Sequence, residues 1–334
     1  MTRAVPMVEL WRGGMVESVH SGHAVICDAK GIVSAWGDPD AVVYPRSSSK
    51  IIQALPLIES GAASAMGLTD AHLAFACASH HGAHQHVDMA RRWISDLGLT
   101  EADLRCGTQE PDNRDERNRL IRADEKPCQF HNNCSGKHSG FLAVTKHLKA
   151  GPEYIDPGHP LQRTIRAAFE DATAIASPGY GIDGCSAPNF ATTVHGMARA
   201  MATFAAARDH GMVRERAMHR LTRAMAAYPE LVAGEGAGCT ELMRAMGGRV
   251  TIKGGAEGFY VAILPDLGLG MALKIADGAK RASEAAIAAL LVRAGVLQAD
   301  HPATRRHLNA VLRNWRGMET GALRTAPGFA DQPA

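Results

Sequence analysis

The chain has 334 residues, of which 46% are hydrophobic, and this is enough to build a substantial core in one large domain or two ordinary ones. Thirty-six basic and 34 acidic residues leave a formal net charge of +2, and no Lys/Arg block or basic stripe interrupts the sequence. These properties argue against nucleic acid as a partner and favour a small-molecule ligand.

Neither a membrane segment nor an export segment is recognisable. The first six residues lack a long apolar run, and the later apolar stretches are broken by charge or glycine before they reach spanning length. Seven cysteines, an odd number scattered along the chain, argue against a disulfide framework. We therefore expect a soluble, cytoplasmic protein with reduced thiols and no membrane partner.

The order of the predicted elements is strands, then helices, then strands. A β-meander is predicted from residue 8 to 44, with strands over 8–10, 16–19, 23–27 and 32–36. Helical periodicity follows near 47–62, 86–97, 114–123, 138–149, 160–175, 189–208 and 211–227. Strands return at 249–253, 258–263 and 268–275, before two helices at 282–296 and 302–314.

This order predicts an α+β fold. We expect one mixed or antiparallel sheet built from N- and C-terminal strands, with a largely helical insertion over about residues 47–245 packed against one face. No repeat, low-complexity segment or linker divides the chain, so a single domain is expected over residues 1–334, with a frayed tail at 325–334.

The first chemical motif lies where the helical region begins. Ser47 and Lys50 form the S-x-x-K arrangement of serine acyl-transfer enzymes. On a helix, residues three apart share a face, so an unprotonated Lys50 amine could take the proton of the Ser47 hydroxyl. The alternative is a serine N-cap followed by a surface lysine.

A second serine and a second lysine follow in the chain. Ser79 comes just after a buried apolar run, and Lys253 ends a strand before a glycine pair that allows a ligand to approach the backbone. The order Ser47/Lys50, Ser79, Lys253 matches the three active-site elements of penicillin-binding proteins and β-lactamases. His81 stands where those enzymes have asparagine, which disfavours a β-lactam substrate.

Two polar, glycine-rich loops carry one cysteine each. Residues 132–141 contain Cys134 and lead directly into a helix, and residues 179–188 contain Cys185. Spacing alone leaves two interpretations open for these thiols, namely metal ligands or small buried hydrophobic side chains. A third possible cluster, His80 to His86, lacks the H-E-x-x-H spacing of zinc hydrolases, and loop or capping histidines are preferred there.

Taken together, these segments resemble the Rhizobium etli type (class 3) of L-asparaginase, in the asparaginase II family. The resemblance covers nearly the whole chain and is carried by the sequence strings of residues 45–50, 133–140, 183–185 and 252–254. It implies a fold like that of serine β-lactamases and serine-dependent glutaminases, hydrolysis of L-asparagine to L-aspartate and ammonia, and a homodimer. Gln109 departs from the pattern, because a histidine is expected there.

The resemblance also implies site residues. Two Ser-Lys pairs would be catalytic, a zinc ion would lie beside the substrate pocket, and three further side chains would line the pocket. The catalytic set is Ser47, Lys50, Ser79 and Lys253; the zinc ligands are Cys134, Lys137 and Cys185; the pocket residues are Arg46, His138 and Asp183.

These assignments agree with what the reaction needs. A lysine base must have its pKa lowered by several units from about 10.4, through burial and a neighbouring cation. The substrate's α-carboxylate calls for a cation such as Arg46, and its α-ammonium for an anion such as Asp183. A lysine binds zinc only when neutral, so the metal should be lost at lower pH. No organic cofactor is expected.

Other functions remain open at this level. A glutaminase or another small amidase would use the same groups on a different amide. An amino-acid-binding protein would keep the pocket without chemistry, and a zinc hydrolase would instead use the His80 to His86 cluster. The residues also leave open which serine is acylated, because both pairs have the required groups.

Overall fold

A computed structural model of the protein describes residues 3–331. Most of its strands form one antiparallel sheet, in the order β11-β12-β1-β2-β10-β9-β8, with β3 also paired to β2. Two small two-stranded sheets, β4-β7 and β5-β6, lie apart from it. The strands are β1 Val5–Arg12, β2 Met15–Asp28, β3 Gly31–Trp36, β4 Val42–Val43, β5 Tyr180–Ile182, β6 Pro188–Phe190, β7 Thr192–Thr193, β8 Thr251–Gly255, β9 Phe259–Leu264, β10 Leu269–Ile275, β11 Val311–Arg313 and β12 Glu319–Thr325.

Most of the helices lie between β4 and β8, and the last two lie between β10 and β11. They are α1 Lys50–Gln53, α2 Leu55–Glu59, α3 Ala62–Ala65, α4 Asp70–Ala76, α5 His84–Asp96, α6 Arg114–Ala123, α7 Ser135–His147, α8 Pro160–Thr173, α9 Val194–Ala206, α10 Val213–Ala227, α11 Pro229–Val232, α12 Gly238–Ala245, α13 Lys280–Arg293 and α14 Pro302–His307. Short 3₁₀ helices occur at Arg46–Ser49, Glu101–Asp103, Gln129–His131 and Pro265–Leu267.

Helices cover the central strands of the sheet. Helix α9 packs on β2 and β10, while α13 contacts β1, β9, β10 and β12. All six residues of β9 are buried. Helix α9 approaches closely because Gly270 has no side chain: a Cβ there would lie 2.0 Å from the backbone nitrogen of Ala202. The α+β fold predicted from the sequence is therefore confirmed, with N- and C-terminal strands in one sheet.

Several boundaries differ from the prediction. The two strands predicted at 16–19 and 23–27 form one strand, β2, which pairs with β1 in its first half and with β10 and β3 in its second half. The predicted helix 47–62 is divided into four short helical pieces. The break before the last of them falls at Gly61, which takes a left-handed conformation with a φ of 85°. The helix predicted at 189–208 begins only at Val194, after two short strands.

The C-terminal part departs most from the prediction. The helix predicted at 302–314 ends at His307, and the chain then enters β11 and β12. Beyond β12, where a frayed tail is expected, the ring of Phe329 is buried and packs edge-on to Trp36 with ring centroids 5.5 Å apart. Apolar burial therefore holds this segment against the sheet. Residues 332–334 of the expected tail lie outside the described residues, as do residues 1–2 of the expected single domain.

From Arg3 to Asp331, no helix is both long enough and apolar enough to cross a bilayer.

Candidate active site

Three separate segments carry the predicted catalytic side chains. The 3₁₀ helix Arg46–Ser49 carries Ser47 and runs into α1, which begins at Lys50; Ser79 follows the end of α4, and Lys253 lies in β8. Both lysines are almost completely buried, with 1% and 2% of their surface exposed. A buried lysine is rare unless a partner or a function requires it.

Ser79 lies between the two lysine amines. Its hydroxyl oxygen accepts hydrogen bonds from Lys50 Nζ at 2.8 Å and from Lys253 Nζ at 2.9 Å. Lys50 also donates to the carbonyl of Ala78 at 2.5 Å. The predicted Ser79/Lys253 pair is therefore brought together. The backbone N–H of Lys50 donates to the carbonyl of Ser47, but among the side-chain hydrogen bonds of residues 3–331 none joins the Ser47 hydroxyl to the Lys50 amine. Lys50 instead links the two predicted pairs through Ser79.

Lys253 has the properties of a general base. Burial, and secondly the neighbouring charge of Lys50, lower its pKa from an ordinary value of 10.5 to about 8. A group with this pKa is partly neutral near physiological pH, and a neutral amine can accept a proton from a hydroxyl at hydrogen-bond distance.

The backbone before Ser47 is strained. Arg46 has a φ of 52°, a left-handed conformation that is unfavourable for a residue with a side chain. The adjoining strand comes very close, because a Cβ on Gly255 would lie only 2.6 Å from the carbonyl oxygen of Pro45. The hydroxyl of Ser48 fixes this contact by donating to the carbonyl of Lys253 at 3.1 Å. Ser47 therefore lies in a tightly packed junction between the 3₁₀ helix and strand β8.

Two of the predicted pocket residues bind each other. Arg46 donates from Nη2 to Asp183 Oδ1 at 2.7 Å and from Nε at 3.2 Å. Burial is the largest single influence and would raise the pKa of the Asp183 carboxyl, but the hydrogen bond from Arg46 and the positive charges of Lys137 and Arg46 together hold that pKa below its usual value. The pair therefore offers a cation and an anion side by side, complementary to the two charged ends of an amino acid.

A cavity of about 510 Å³ opens beside Arg46. Its lining includes Tyr44, Glu257 and Lys274, and the neighbouring backbone of Gly179. This cavity therefore gives solvent access beside Arg46, one of the predicted pocket residues.

The three predicted metal ligands also lie together. Cys134 is the N-cap of α7, Lys137 lies in its first turn, and Cys185 comes from the loop between β5 and β6. Lys137 Nζ donates to Cys185 Sγ at 3.0 Å. A hydrogen bond from Cys134 is the largest influence on Cys185 and, with the Lys137 cation, it lowers the pKa of the Cys185 thiol well below its usual value.

The donor chemistry of this cluster suits zinc. Thiolates and an imidazole nitrogen are preferred zinc ligands, and His138 Nε2 is buried without a hydrogen-bond partner next to Cys185. Its other ring nitrogen, Nδ1, is bonded to the hydroxyl of Tyr154 at 2.8 Å. Within residues 3–331 no group of three or more His, Cys, Asp or Glu side chains is arranged to hold a metal, so the cluster depends on its lysine.

Three supporting contacts are absent from the sequence prediction. Tyr154 orients His138 from a distant loop, and nothing in its sequence context indicates that contact. Gln109, expected to lie outside the site, accepts from the backbone N–H of Asn133 at 3.2 Å and so positions the residue before Cys134. His80 Nε2 bonds the hydroxyl of Ser135 at 2.9 Å.

The histidine cluster has a packing role. The rings of His80 and His86 stack with centroids 4.7 Å apart, and His80 Nδ1 accepts from the backbone N–H of Gly82 at 3.0 Å. Both nitrogens of His80 are therefore engaged within the protein, which leaves none for a metal. Burial lowers the pKa of His86 to about 4, so this ring is neutral.

Comparison with known proteins gives one clear match. The family model described as L-asparaginase II matches residues 8–325. No curated protein sequence matches the chain.

Similar solved structures include a β-lactamase from Mycobacterium bovis, with 11% identity and a TM-score of 0.47, covering 83% of this chain and 95% of that one. A putative β-lactamase from Bacteroides dorei has 13% identity and a TM-score of 0.40, over 76% and 84% of the two chains. A penicillin-binding protein homologue from Pyrococcus abyssi has 11% identity and a TM-score of 0.33, over 81% and 73%. TM-scores below 0.5 support no conclusion about the chemistry of this chain.

Proposed function

The chain belongs to the L-asparaginase II family and is an amide hydrolase that acts on L-asparagine, and we propose that it does so through an acyl-enzyme formed by Ser-Lys chemistry. The observation that carries this proposal is the position of Ser79 Oγ, 2.8 Å from Lys50 Nζ and 2.9 Å from Lys253 Nζ. A hydroxyl between two amines can pass a proton from one to the other.

In this mechanism Ser47 is the hydroxyl that is acylated. Both lysine amines lie within hydrogen-bond distance of Ser79 Oγ, so this hydroxyl can donate to neutral Lys253 while it accepts from Lys50, which suits a proton relay better than a nucleophile. Among the side-chain hydrogen bonds of residues 3–331, none engages the Ser47 hydroxyl. Residues three apart in a 3₁₀ helix eclipse one another, so Lys50 lies on the side of Ser47.

The proton then follows a chain of short steps. Neutral Lys253 accepts a proton from Ser79, Ser79 takes one from Lys50, and Lys50 takes the proton of Ser47 as it attacks the side-chain amide carbon. The reverse transfer protonates the departing ammonia. Water repeats the sequence on the aspartyl ester and releases aspartate.

The Arg46–Asp183 pair supplies the binding site in this proposal. The α-carboxylate of asparagine would accept from Arg46, and its α-ammonium would donate to Asp183, so that one internal ion pair is replaced by two with the substrate. His138 completes the pocket. Because both ends of the substrate are fixed, the amide can reach Ser47 only in one orientation.

We also propose that Cys134, Lys137 and Cys185 hold a zinc ion, with the free Nε2 of His138 beside it. Zinc bound there would act as a Lewis acid that orients the substrate next to the pocket. The residues themselves must first lose protons. Lys137 is charged, because the Cys185 thiolate beside it raises the pKa of the Lys137 amine against the effect of burial, and Cys134 holds its thiol proton because its pKa is raised. Metal uptake should therefore release protons and weaken as pH falls.

The test of catalysis is kinetic. Ser47→Ala and Ser79→Ala should each lower kcat for asparagine by about 100-fold or more, while Ser139→Ala, whose hydroxyl bonds only a carbonyl of its own helix, should stay near wild type. Near-wild-type turnover in Ser47→Ala would overturn the assignment. Comparing ammonia release from asparagine and glutamine separates an asparaginase from a glutaminase, and no ammonia from either would leave an amino-acid-binding protein.

A homodimer and a cytoplasmic location are also proposed, on the family resemblance and the reduced cysteines alone. Light scattering coupled to size exclusion measures the first directly.

A further inference from the structure

Asn189 is a buried polar residue beside the Arg46–Asp183 pair, and the proposed reaction does not use it. It lies in β6 with 3% of its surface exposed. Its Nδ2 lies 3.5 Å from Asp183 Oδ2. Within residues 3–331, its Oδ1 is enclosed and has no hydrogen-bond partner. Most buried side-chain oxygens in folded proteins accept a hydrogen bond, so this acceptor lacks a donor that its surroundings should supply.

The orientation of the Asn189 amide follows from the carboxylate beside it. An ionised carboxylate only accepts hydrogen bonds, so the amide turns its NH₂ group, and not its oxygen, toward Asp183. The C=O and C–N bonds of an amide, about 1.23 and 1.33 Å long, keep Oδ1 within about 6 Å of Asp183 Oδ2. One nitrogen that donates to both oxygens at about 3 Å can span this separation.

The two carboxylate oxygens of Asp183 are used differently. Oδ1 accepts from Arg46 Nη2 at 2.7 Å, from Arg46 Nε at 3.2 Å and from the backbone N–H of Gly184 at 2.7 Å. Oδ2 has only the long contact with Asn189 among the hydrogen bonds of the described residues. The oxygen with free capacity for a further donor is therefore the one that faces Asn189.

Strand geometry turns the Asn189 side chain toward the cavity of about 510 Å³. Asn189 pairs with Gly181 across β5 and β6, so the Cβ positions of the two residues share one face of the hairpin. A Cβ on Gly181 would lie 3.6 Å from the ring of Tyr44, which lines the cavity. The next residue, Phe190, points to the opposite face and packs on Phe169, with ring centroids 6.1 Å apart.

We propose that Asn189 is a specificity-determining residue whose Oδ1 accepts a hydrogen bond from the α-ammonium group of the substrate, next to Asp183 Oδ2. This inference rests on the proposed function, because it takes Asp183 as the ammonium site. An ammonium group has three donors, and Asp183 and Asn189 accept two of them. An amide without the α-ammonium leaves both oxygens without a donor, so the site selects against it.

The experiment compares L-asparagine with succinamate, which has the same carboxylate and amide but no α-ammonium. Ammonia release gives kcat/KM for both substrates with wild type and with Asn189→Leu, which keeps the branching of the side chain and removes its polar atoms. We expect the variant to lower kcat/KM for L-asparagine about 10-fold to 100-fold, mainly through KM, because a hydrogen bond to a charged group is lost. The value for succinamate should stay close to that of wild type.

The ratio of the two kcat/KM values separates substrate recognition from a structural role, because a smaller folded fraction lowers both values alike. Thr192→Val is the matched control. Thr192 Oγ1 is also buried without a partner, but it faces α9, where a Cβ on Gly196 would lie 2.6 Å from it. The control should keep the wild-type ratio. An unchanged ratio in Asn189→Leu overturns the proposal, and if that variant does not fold, Asn189→Ala is measured in the same way.

Binding of two acids separates this inference from the proposed reaction. L-aspartate carries the α-ammonium and succinate lacks it, and neither has an amide to hydrolyse. By calorimetry, Asn189→Ala should bind L-aspartate about 10-fold to 100-fold more weakly than wild type and bind succinate with little change. This comparison decides even if wild type releases no ammonia from asparagine, a result that refutes only the reaction. No binding of L-aspartate by wild type, or equal weakening for both acids, overturns the inference.

A crystal structure with bound L-aspartate tests the contact itself. We expect the ammonium nitrogen within about 3.2 Å of Asn189 Oδ1. A water molecule as the only donor to Oδ1, with the ammonium group elsewhere, contradicts the proposal.

Discussion

Replacing Lys253 by methionine should remove catalysis and change how stability depends on pH. Folding places this amine in a buried site whose desolvation, together with the charge of Lys50, lowers its pKa from 10.5 to about 8. At 1.36 kcal/mol per pKa unit, carrying the charge in the folded protein costs about 3 kcal/mol at neutral pH. Lys253→Met removes that cost together with the base.

The sign of the pH dependence follows from the two pKa values. Below about pH 8 the folded and unfolded proteins both hold the proton, so the full cost is present. Between about pH 8 and 10.5 the unfolded chain holds a proton that the folded protein has released, and the stability of wild type rises with pH. The gain at about pH 9.5, relative to neutral pH, is about 2 kcal/mol, and Lys253→Met lacks it.

Urea unfolding of both proteins at about pH 7 and about pH 9.5 measures this difference. The variant also leaves Ser79 and the Gly254 carbonyl without the lysine donor, but that loss, about 1–3 kcal/mol per group, is the same at both pH values. Lys30→Met, at an exposed lysine, is the control and should track wild type. If the stability difference between wild type and Lys253→Met does not change with pH, the pKa of Lys253 is not lowered by folding and the argument for a buried base is refuted.

Three other variants test the pocket, the metal and the C-terminal segment. Asp183→Asn should lower kcat/KM for asparagine by about 10-fold to 100-fold, mainly through KM, because a charged hydrogen bond to the substrate ammonium is lost; an unchanged KM would exclude Asp183 from the pocket. Cys185→Ser should lose zinc by metal analysis while Cys27→Ser keeps it, and wild-type zinc affinity measured by chelator competition should fall at lower pH; equal zinc in all three proteins would contradict the metal site. Phe329→Ala should lower the free energy of unfolding by about 3 kcal/mol, and a change below about 0.5 kcal/mol would mean that the segment after β12 adds little to stability.

The sequence indicates which residues belong to the candidate site, but not which of their side chains are in contact. The order of Ser47/Lys50, Ser79 and Lys253 predicts a common centre, and the structure brings Ser79 to Lys253. The sequence predicts that Lys50 shares a helix face with Ser47, because this prediction uses only contacts within one helix, and it does not predict the contact of Lys50 with Ser79. Its bond to Ser79 depends on how the end of α4 packs against α7, where Gly136 lets the carbonyl of Phe75 come within 2.2 Å of the place a Cβ would occupy. A close approach between two backbone segments leaves no recognisable pattern in the local sequence.

Contacts between residues far apart in the sequence are also not predicted. Arg46 and Asp183 were assigned separately, for the two ends of the substrate, and their mutual ion pair spans 137 positions of sequence. The sequence does not predict the C-terminal strands, for a different reason. Strand β11 has three residues, the first of them exposed, and this is too short for the alternation of buried and exposed residues to be recognised. The segment is extended because β11 pairs with β12 and β12 pairs with β1, and not because of its local strand propensity.

The acylated residue is the most direct test of the mechanism. Wild-type protein mixed with asparagine should be quenched in acid during turnover, digested, and analysed by peptide mass spectrometry. We expect an aspartyl ester on the peptide that contains Ser47, and no such ester in Ser47→Ala. An ester on the Ser79 peptide instead, retained in Ser47→Ala, would contradict the assignment of Ser79 as the proton relay.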